Sequence, residues 1–232
     1  MRLDKFIAEN TGLTRSQATK SIRQSAVKIN GEIIKNSATK VSQEDEIYFE
    51  DELLPWVEEG QYFMLHKPQG YVCSHDDGDY PTIYQFFEPP LSSKLHSAGR
   101  LDVDTTGLVL LTDDGQWSHR ITSPKHQCEK TYLVTLADPV ENHYASACEK
   151  GILLRGEKEP TKPAKLEMLD DYNVNLTISE GRYHQVKRMF AALGNKVVTL
   201  HRWRIGNVEL DESLEEGEFR PLTQEEIDNL VK

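Results

Sequence analysis

Cysteine is scarce: Cys73, Cys128 and Cys148 are the only three in 232 residues. They lie far apart and none sits in a C-x-x-C pair, so they read as small hydrophobes rather than a disulfide framework or zinc ligands. No apolar run approaches the ~20 residues that a membrane helix needs, and Met1-Arg2-Leu3-Asp4-Lys5 has no apolar signal core behind it. These absences argue against a membrane protein and a stapled secreted one, and point to the reducing cytoplasm. Motifs for nicotinamide, flavin or metal are also missing. His75, Asp76, Asp77 and Asp79 cluster, but no distant partner of ligand spacing joins them, and they read as a polar loop. What is present is an ordinary globular composition, 38% hydrophobic and 28% charged, long enough for one large domain or two unequal ones.

The net charge of −11 argues against a nucleic-acid partner, and its distribution argues for one. Residues 1–40 hold 8 Lys/Arg against 3 acids, whereas residues 41–60 hold none against 8. Residues 179–204 hold 6 against one. Two basic islands in an acidic chain read as phosphate-facing patches or as solvated helix faces, since local field matters more than net charge.

Leu3, Phe6 and Ile7 predict a short helix over residues 2–10, and a second starts at Thr14 with Gln17 as its capping-box partner. Arg15 and Arg23 fall on one face of the second helix. Val27 to Ile34 reads as a hairpin turning at Asn30-Gly31, followed by a strand at Glu46 to Phe49. This order, with Arg15 and Val-x-x-Asn-Gly, resembles the S4 RNA-binding module. Residues 51–60, with charge, Pro55 and Gly60, read as a linker, which divides the chain into an RNA-binding part (1–59) and a larger domain (60–232).

The larger domain centres on Gly99-Arg100-Leu101-Asp102-Val103-Asp104-Thr105-Thr106-Gly107-Leu108, a polar loop running into the apolar stretch Val109-Leu110-Leu111. That pattern predicts a loop carried on the end of a buried strand, where chemistry tends to sit. A carboxylate fixed there beside Arg100 could act as a nucleophile; equally, Asp and Thr could cap their own turn. Before the loop, Tyr62 to Leu65 predicts a strand followed by a turn at Lys67-Pro68-Gln69-Gly70. After it come a helix at Gln116 to Thr122, a strand at Glu129 to Leu136 and a helix opened by Pro139. A strand through Val174, Leu176 and Ile178 follows, then a helix with the stripe Val186, Met189, Phe190 and Leu193. Lys187 lies at the edge of that stripe and Arg188 is expected further toward solvent. A strand from Val197 to Ile205 and an acidic helix opened by Thr223 complete the chain.

Three blocks, Lys67-Pro68-x-Gly70, Gly99-Arg100-Leu101-Asp102 with Asp104-Thr105-Thr106-Gly107-Leu108, and Glu180-Gly181-Arg182-x-His184-Gln185-Val186-Lys187-Arg188-Met189, occur in order. Together they resemble the RsuA branch of the pseudouridine synthases, ribosomal RNA enzymes with an N-terminal S4 module. The resemblance implies an α+β fold, a small S4-like module before a large mixed, mainly antiparallel sheet flanked by helices. It also implies isomerisation of one uridine of 16S rRNA, uridine 516, in free RNA or an assembling small subunit, by a monomer without cofactor. Relatives acting on 23S rRNA share the blocks. By the resemblance, Asp102 is the nucleophile, Tyr132 stacks on the uracil and Lys187 pairs with Asp102. Arg100 fills the gap left by the extruded base, and Arg15, Arg23, Arg182, His184, Gln185 and Arg188 meet RNA. The carboxylate could add to C6 of uracil, attack C1′ of the ribose or assist elimination. Two other classes stay open: a non-catalytic RNA-binding protein that uses the S4 module alone, and a hydrolase pairing Asp102 with Glu180.

Overall fold

Leu3, Phe6 and Ile7 recur at helical spacing because one face of α1 (Leu3–Thr11) must be covered, and all three are fully buried. The computed structural model describes residues 1–56, 60–75 and 78–230. By its internal packing the chain divides into Met1–Glu59 and Gly60–Lys232.

In the first unit α1 ends at Gly12, which is left-handed at φ +70°. Helix α2 (Arg15–Arg23) opens with the capping box of Thr14 and Gln17. Strands β1 (Val27–Ile29) and β2 (Glu32–Ile33) turn through Asn30 and Gly31, both at positive φ. β3 (Ile47–Phe49) pairs with β1, and β4 (Glu52–Leu53) adds a fourth strand in the order β2-β1-β3-β4. The stretch expected to be linker is therefore partly built into this unit. Residues 52–53 form β4, and Trp56 packs on Phe6 with ring centroids 4.5 Å apart while its Nε1–H donates to the Asp45 carbonyl at 2.8 Å. Residues 57–59 lie outside the described residues, as do Asp76 and Asp77 of the polar loop.

Asp4 is buried in this unit, accepting from Arg2 at 2.7 Å and from Arg15 at 3.0 Å. The Arg2 hydrogen bond, against burial and with help from Arg15, lowers its pKa to about 2. A carboxyl whose folded pKa lies below its unfolded value stabilises the fold above pH ~4 and loses that contribution as pH falls toward 2. Asp4→Asn should lower stability at pH 7 by about 2 kcal/mol, since hydrogen bonds to a charged group are being weakened. In thermal melts the gap from the parent protein should close between pH 4 and 2, and a gap constant over that range would refute the linkage.

The second unit is built on one sheet. Its strands are β5 (Tyr62–Lys67), β6 (His96–Ser97), β7 (Thr106–Thr112), β8 (Lys130–Leu136), β9 (Lys165–Met168), β10 (Asn173–Ile178), β11 (Val197–Ile205), β12 (Val208–Glu209) and β13 (Phe219–Pro221). The order is β13-β5-β7-β11-β8-β10-β9, with β6 on β7 and β12 on β11. All the strand pairings described are antiparallel except β7 with β11, where Thr106 faces His201 and Gly107 faces Arg202. The helices are α3 (Leu91–Lys94), α4 (Gly115–Thr122), α5 (Tyr144–Lys150), α6 (Gln185–Ala192) and α7 (Gln224–Asn229). This is the expected α+β fold.

β7 explains the unbroken apolar run in the sequence. Val109 and Leu111 enter the core that includes α5 and α6, while Leu108 and Leu110 enter the core of Trp117, Ile121 and Leu230 on the other face. One expected helix is shorter than predicted. It begins at Tyr144 rather than Pro139, because the Val140 amide is tied to the Asp171 carbonyl at 2.7 Å.

Candidate active site

The loop from Gly99 to Thr105 is pinned by groups distant in sequence. The Gly70 amide donates to the Val103 carbonyl at 2.7 Å, so the turn after β5 supports the loop midway. Lys67, completely buried, donates from Nζ to the Thr105 carbonyl at 2.8 Å and to Pro68 at 2.9 Å. Burial lowers its pKa, a pull that the nearby Asp104 and Asp102 charges only partly reverse. From the other side Arg202 Nε donates to the Leu108 carbonyl at 2.9 Å, and its Nη1 lies 3.5 Å from both the Arg100 carbonyl and the Tyr132 hydroxyl. The loop is thus held at both ends and at its middle.

On this support stand two carboxylates and one ammonium. Lys187 Nζ, on the first turns of α6, donates to Asp102 Oδ2 at 3.2 Å and to Asp104 Oδ1 at 2.6 Å. His184 Nε2 lies 3.5 Å from Asp102 Oδ1. The Asp102 side chain keeps about a third of its surface open, 32%. Burial pushes the Asp104 carboxyl up, but the hydrogen bond and charge of Lys187 outweigh it and hold its pKa below the ordinary value. Burial pulls Lys187 down, and the two carboxylates more than reverse that, so it remains a cation. A compact ammonium can serve two carboxylates at once, where a planar guanidinium would favour one bidentate partner. Asp104, Lys67 and Arg202 were not among the residues singled out as chemical from sequence. Lys67 was visible in its motif, but its long-range role was not.

The structure brings Asp102, Lys187 and His184 together. Tyr132 lies on β8 with its ring buried, 8% exposed, and joins the loop through Arg202, whose guanidinium carbon stands 5.9 Å from the ring centroid. Arg100 is exposed with no ion pair among the described residues.

Several of the other expected RNA contacts also bond groups of the protein. Arg188 is half-buried, pairs with Glu157 at 3.0 Å and donates to the carbonyls of Tyr183 and Arg155. Arg182 holds Glu180 at 3.2 Å and the carbonyls of Glu159 and Pro160, and Gln185 is buried against Glu180. In the second basic island Arg202 is buried, Arg182, Lys187, Arg188 and Arg204 are half-buried, and Lys196 is exposed. Glu180, the second acid of a hydrolase pair, accepts from the Lys162 amide at 2.9 Å and from Arg182 instead of facing Asp102. In the first unit Arg15 is paired with Asp4, whereas Arg23 is exposed. Among the described residues no group of three or more His, Cys, Asp or Glu is placed to hold a metal, and no helix is long and apolar enough to cross a membrane.

Comparison with known proteins places the chain in a family. Residues 61–192 match the family model described as RNA pseudouridylate synthase, and residues 1–47 match the S4 domain. A protein named ribosomal small subunit pseudouridine synthase A from Haemophilus influenzae is 85% identical over the whole of both chains. The protein of the same name from Escherichia coli K12 is 58% identical, again over the full length of both. A crystal structure titled pseudouridylate synthase, 84% identical and covering both chains completely, superposes with a TM-score of 0.74. The chain therefore belongs to the RNA pseudouridylate synthase family, with a leading S4 domain, and is an isomerase.

Proposed function

We propose that this enzyme converts one uridine of the small-subunit ribosomal RNA, uridine 516 of 16S rRNA, to pseudouridine, with Asp102 as nucleophile on a base swung out of its stack. The observation that carries the reading is the Asp102 carboxylate on a pinned loop, one oxygen 3.2 Å from Lys187 and the other 3.5 Å from His184. The names of the full-length relatives support the choice of RNA.

The reaction breaks the N1–C1′ glycosidic bond, turns the uracil and rejoins it through C5, which gives up its proton. It involves no net redox change. Asp102 must approach an atom that a stacked helix hides, so the nucleotide has to leave its stack at a cost of a few kcal/mol. Arg100, exposed and without a carboxylate partner among the described residues, suits the vacated gap and the neighbouring phosphate. Tyr132 offers an aromatic edge against the uracil, its hydroxyl steadied by Arg202. Lys187 balances the charge of the carboxylate pair while Asp102 works. The first unit, with Arg23 and the lysines of residues 1–40, supplies RNA affinity by shape and backbone.

Purified protein incubated with unmodified 16S rRNA and no added cofactor should produce a single pseudouridine on chemical mapping, at uridine 516. Absence of any product on free RNA and on assembling subunits, or product only in 23S rRNA, would overturn the reading.

A further inference from the structure

We propose that Tyr183 is a stacking platform for an unpaired nucleobase of the substrate RNA, next to the nucleotide that Asp102 attacks; this rests on the function proposed above. Tyr183 is 77% exposed, more than any other large hydrophobic side chain among the described residues. Open as it is, the ring has an aromatic partner on the protein. It lies on the His184 ring with centroids 3.8 Å apart and planes 20° apart. Nε2 of that imidazole lies 3.5 Å from Asp102 Oδ1. One face of the Tyr183 ring is therefore backed by protein and the other is open, one ring away from the nucleophile.

The backbone beneath is held in an uncommon conformation. His184 is left-handed at φ +46°, which costs a non-glycine residue on the order of 1 kcal/mol or more. The surrounding bonds enforce it. The Arg182 amide donates to Gln185 Oε1 at 2.9 Å, Gln185 Nε2 donates to Glu180 at 3.1 Å, and Arg188 Nη1 donates to the Tyr183 carbonyl at 3.1 Å. The polar side chains expected to grip phosphate form a brace, and what the brace displays is an aromatic face. Every base has a π-face, so such a platform takes purine or pyrimidine, and its closeness to Asp102 makes a neighbour on the same RNA strand the occupant.

The test uses full-length protein and a 16S rRNA fragment carrying 2-aminopurine beside the target uridine, on the 5′ or the 3′ side. Tyr183→Ala should raise the KM and the dissociation constant about tenfold or more while kcat changes less than about threefold. It should also abolish the 2-aminopurine quenching seen on binding in one of the two positions. Tyr183→Phe and Tyr183→Trp should restore both. Unchanged affinity and quenching in Tyr183→Ala would overturn the platform, as would a Tyr183→Phe variant equally defective, since the hydroxyl would then be the active part. A defect confined to assembled subunits would mean that the ring meets a protein, and would overturn it too. Quenching and affinity read the platform without turnover, so wild-type protein that binds and quenches but forms no pseudouridine would count against the proposed reaction alone.

Discussion

Asp102→Asn should reduce pseudouridine formation by at least ~10⁴-fold, with RNA affinity within a few-fold of the parent protein. The amide is close in size to the carboxylate but carries no charge and is a far poorer nucleophile. The arrangement around it makes the experiment clean. Removing one partner of an ion pair often damages a protein by leaving the other charge unpaired. Here Lys187 keeps Asp104 at 2.6 Å, the shorter of its two contacts, so the ammonium stays paired. Loss of turnover with an unchanged melting temperature would then report chemistry. Asp104→Asn is the matched control: it removes the nearer partner of Lys187 but leaves the nucleophile, and should lower turnover by only about tenfold. Single-turnover measurement on 16S rRNA distinguishes the two. An Asp102→Asn protein retaining more than about a hundredth of normal turnover would remove Asp102 from the role of nucleophile.

Gly107→Ala should be strongly damaging in the second unit. Gly107 stands where β7 runs beside β11, at φ +108°, and a Cβ there would run into the Arg202 carbonyl oxygen and sit 2.8 Å from the Arg202 amide nitrogen. Both neighbours are backbone in the middle of a sheet, so neither can swing aside. We expect a cost of about 3 kcal/mol or more, combining the backbone penalty with steric overlap. In a domain of this size that corresponds to a fall of roughly 6–12 °C in Tm. Gly156→Ala separates the two contributions, because Gly156 is also left-handed at φ +82° but a Cβ there meets nothing within 4 Å. It should cost only about 1 kcal/mol. Equal losses in the two variants on thermal denaturation would show that the close approach to Arg202 carries no weight.

Much of the fold was legible because local physics and tertiary packing agree. The capping box at Thr14, the Asn30-Gly31 turn and the alternation in Val174, Leu176 and Ile178 each point the same way in the chain as in the folded sheet. Pro139 misled because a proline suited to a helix start is instead followed by an amide tied to Asp171. The stretch after Asp51 misled because polar composition looks the same in a linker and in a short edge strand. In the site, Asp102 and Lys187 stood out through their motifs, 85 positions apart yet hydrogen-bonded. Arg182, Gln185 and Arg188 carry the right chemistry for phosphate, and nothing local announces that they also bond Glu180 and Glu157. Tyr183 is inconspicuous in the sequence for the converse reason: only the fold shows that its ring lies outside the core.

The pairing of β13 with β5 has a consequence for synthesis. The strand that ends in Lys67 is flanked by residues Phe219–Pro221, and the lysine and arginine serving the Asp102 loop stand at positions 187 and 202. Emerging from the ribosome N-terminus first, the chain completes its S4 unit early, with a separate core. Its chemical half cannot close until residues 219–221 have been added. The nascent protein thus holds the part suited to gripping RNA long before it holds the part that alters it.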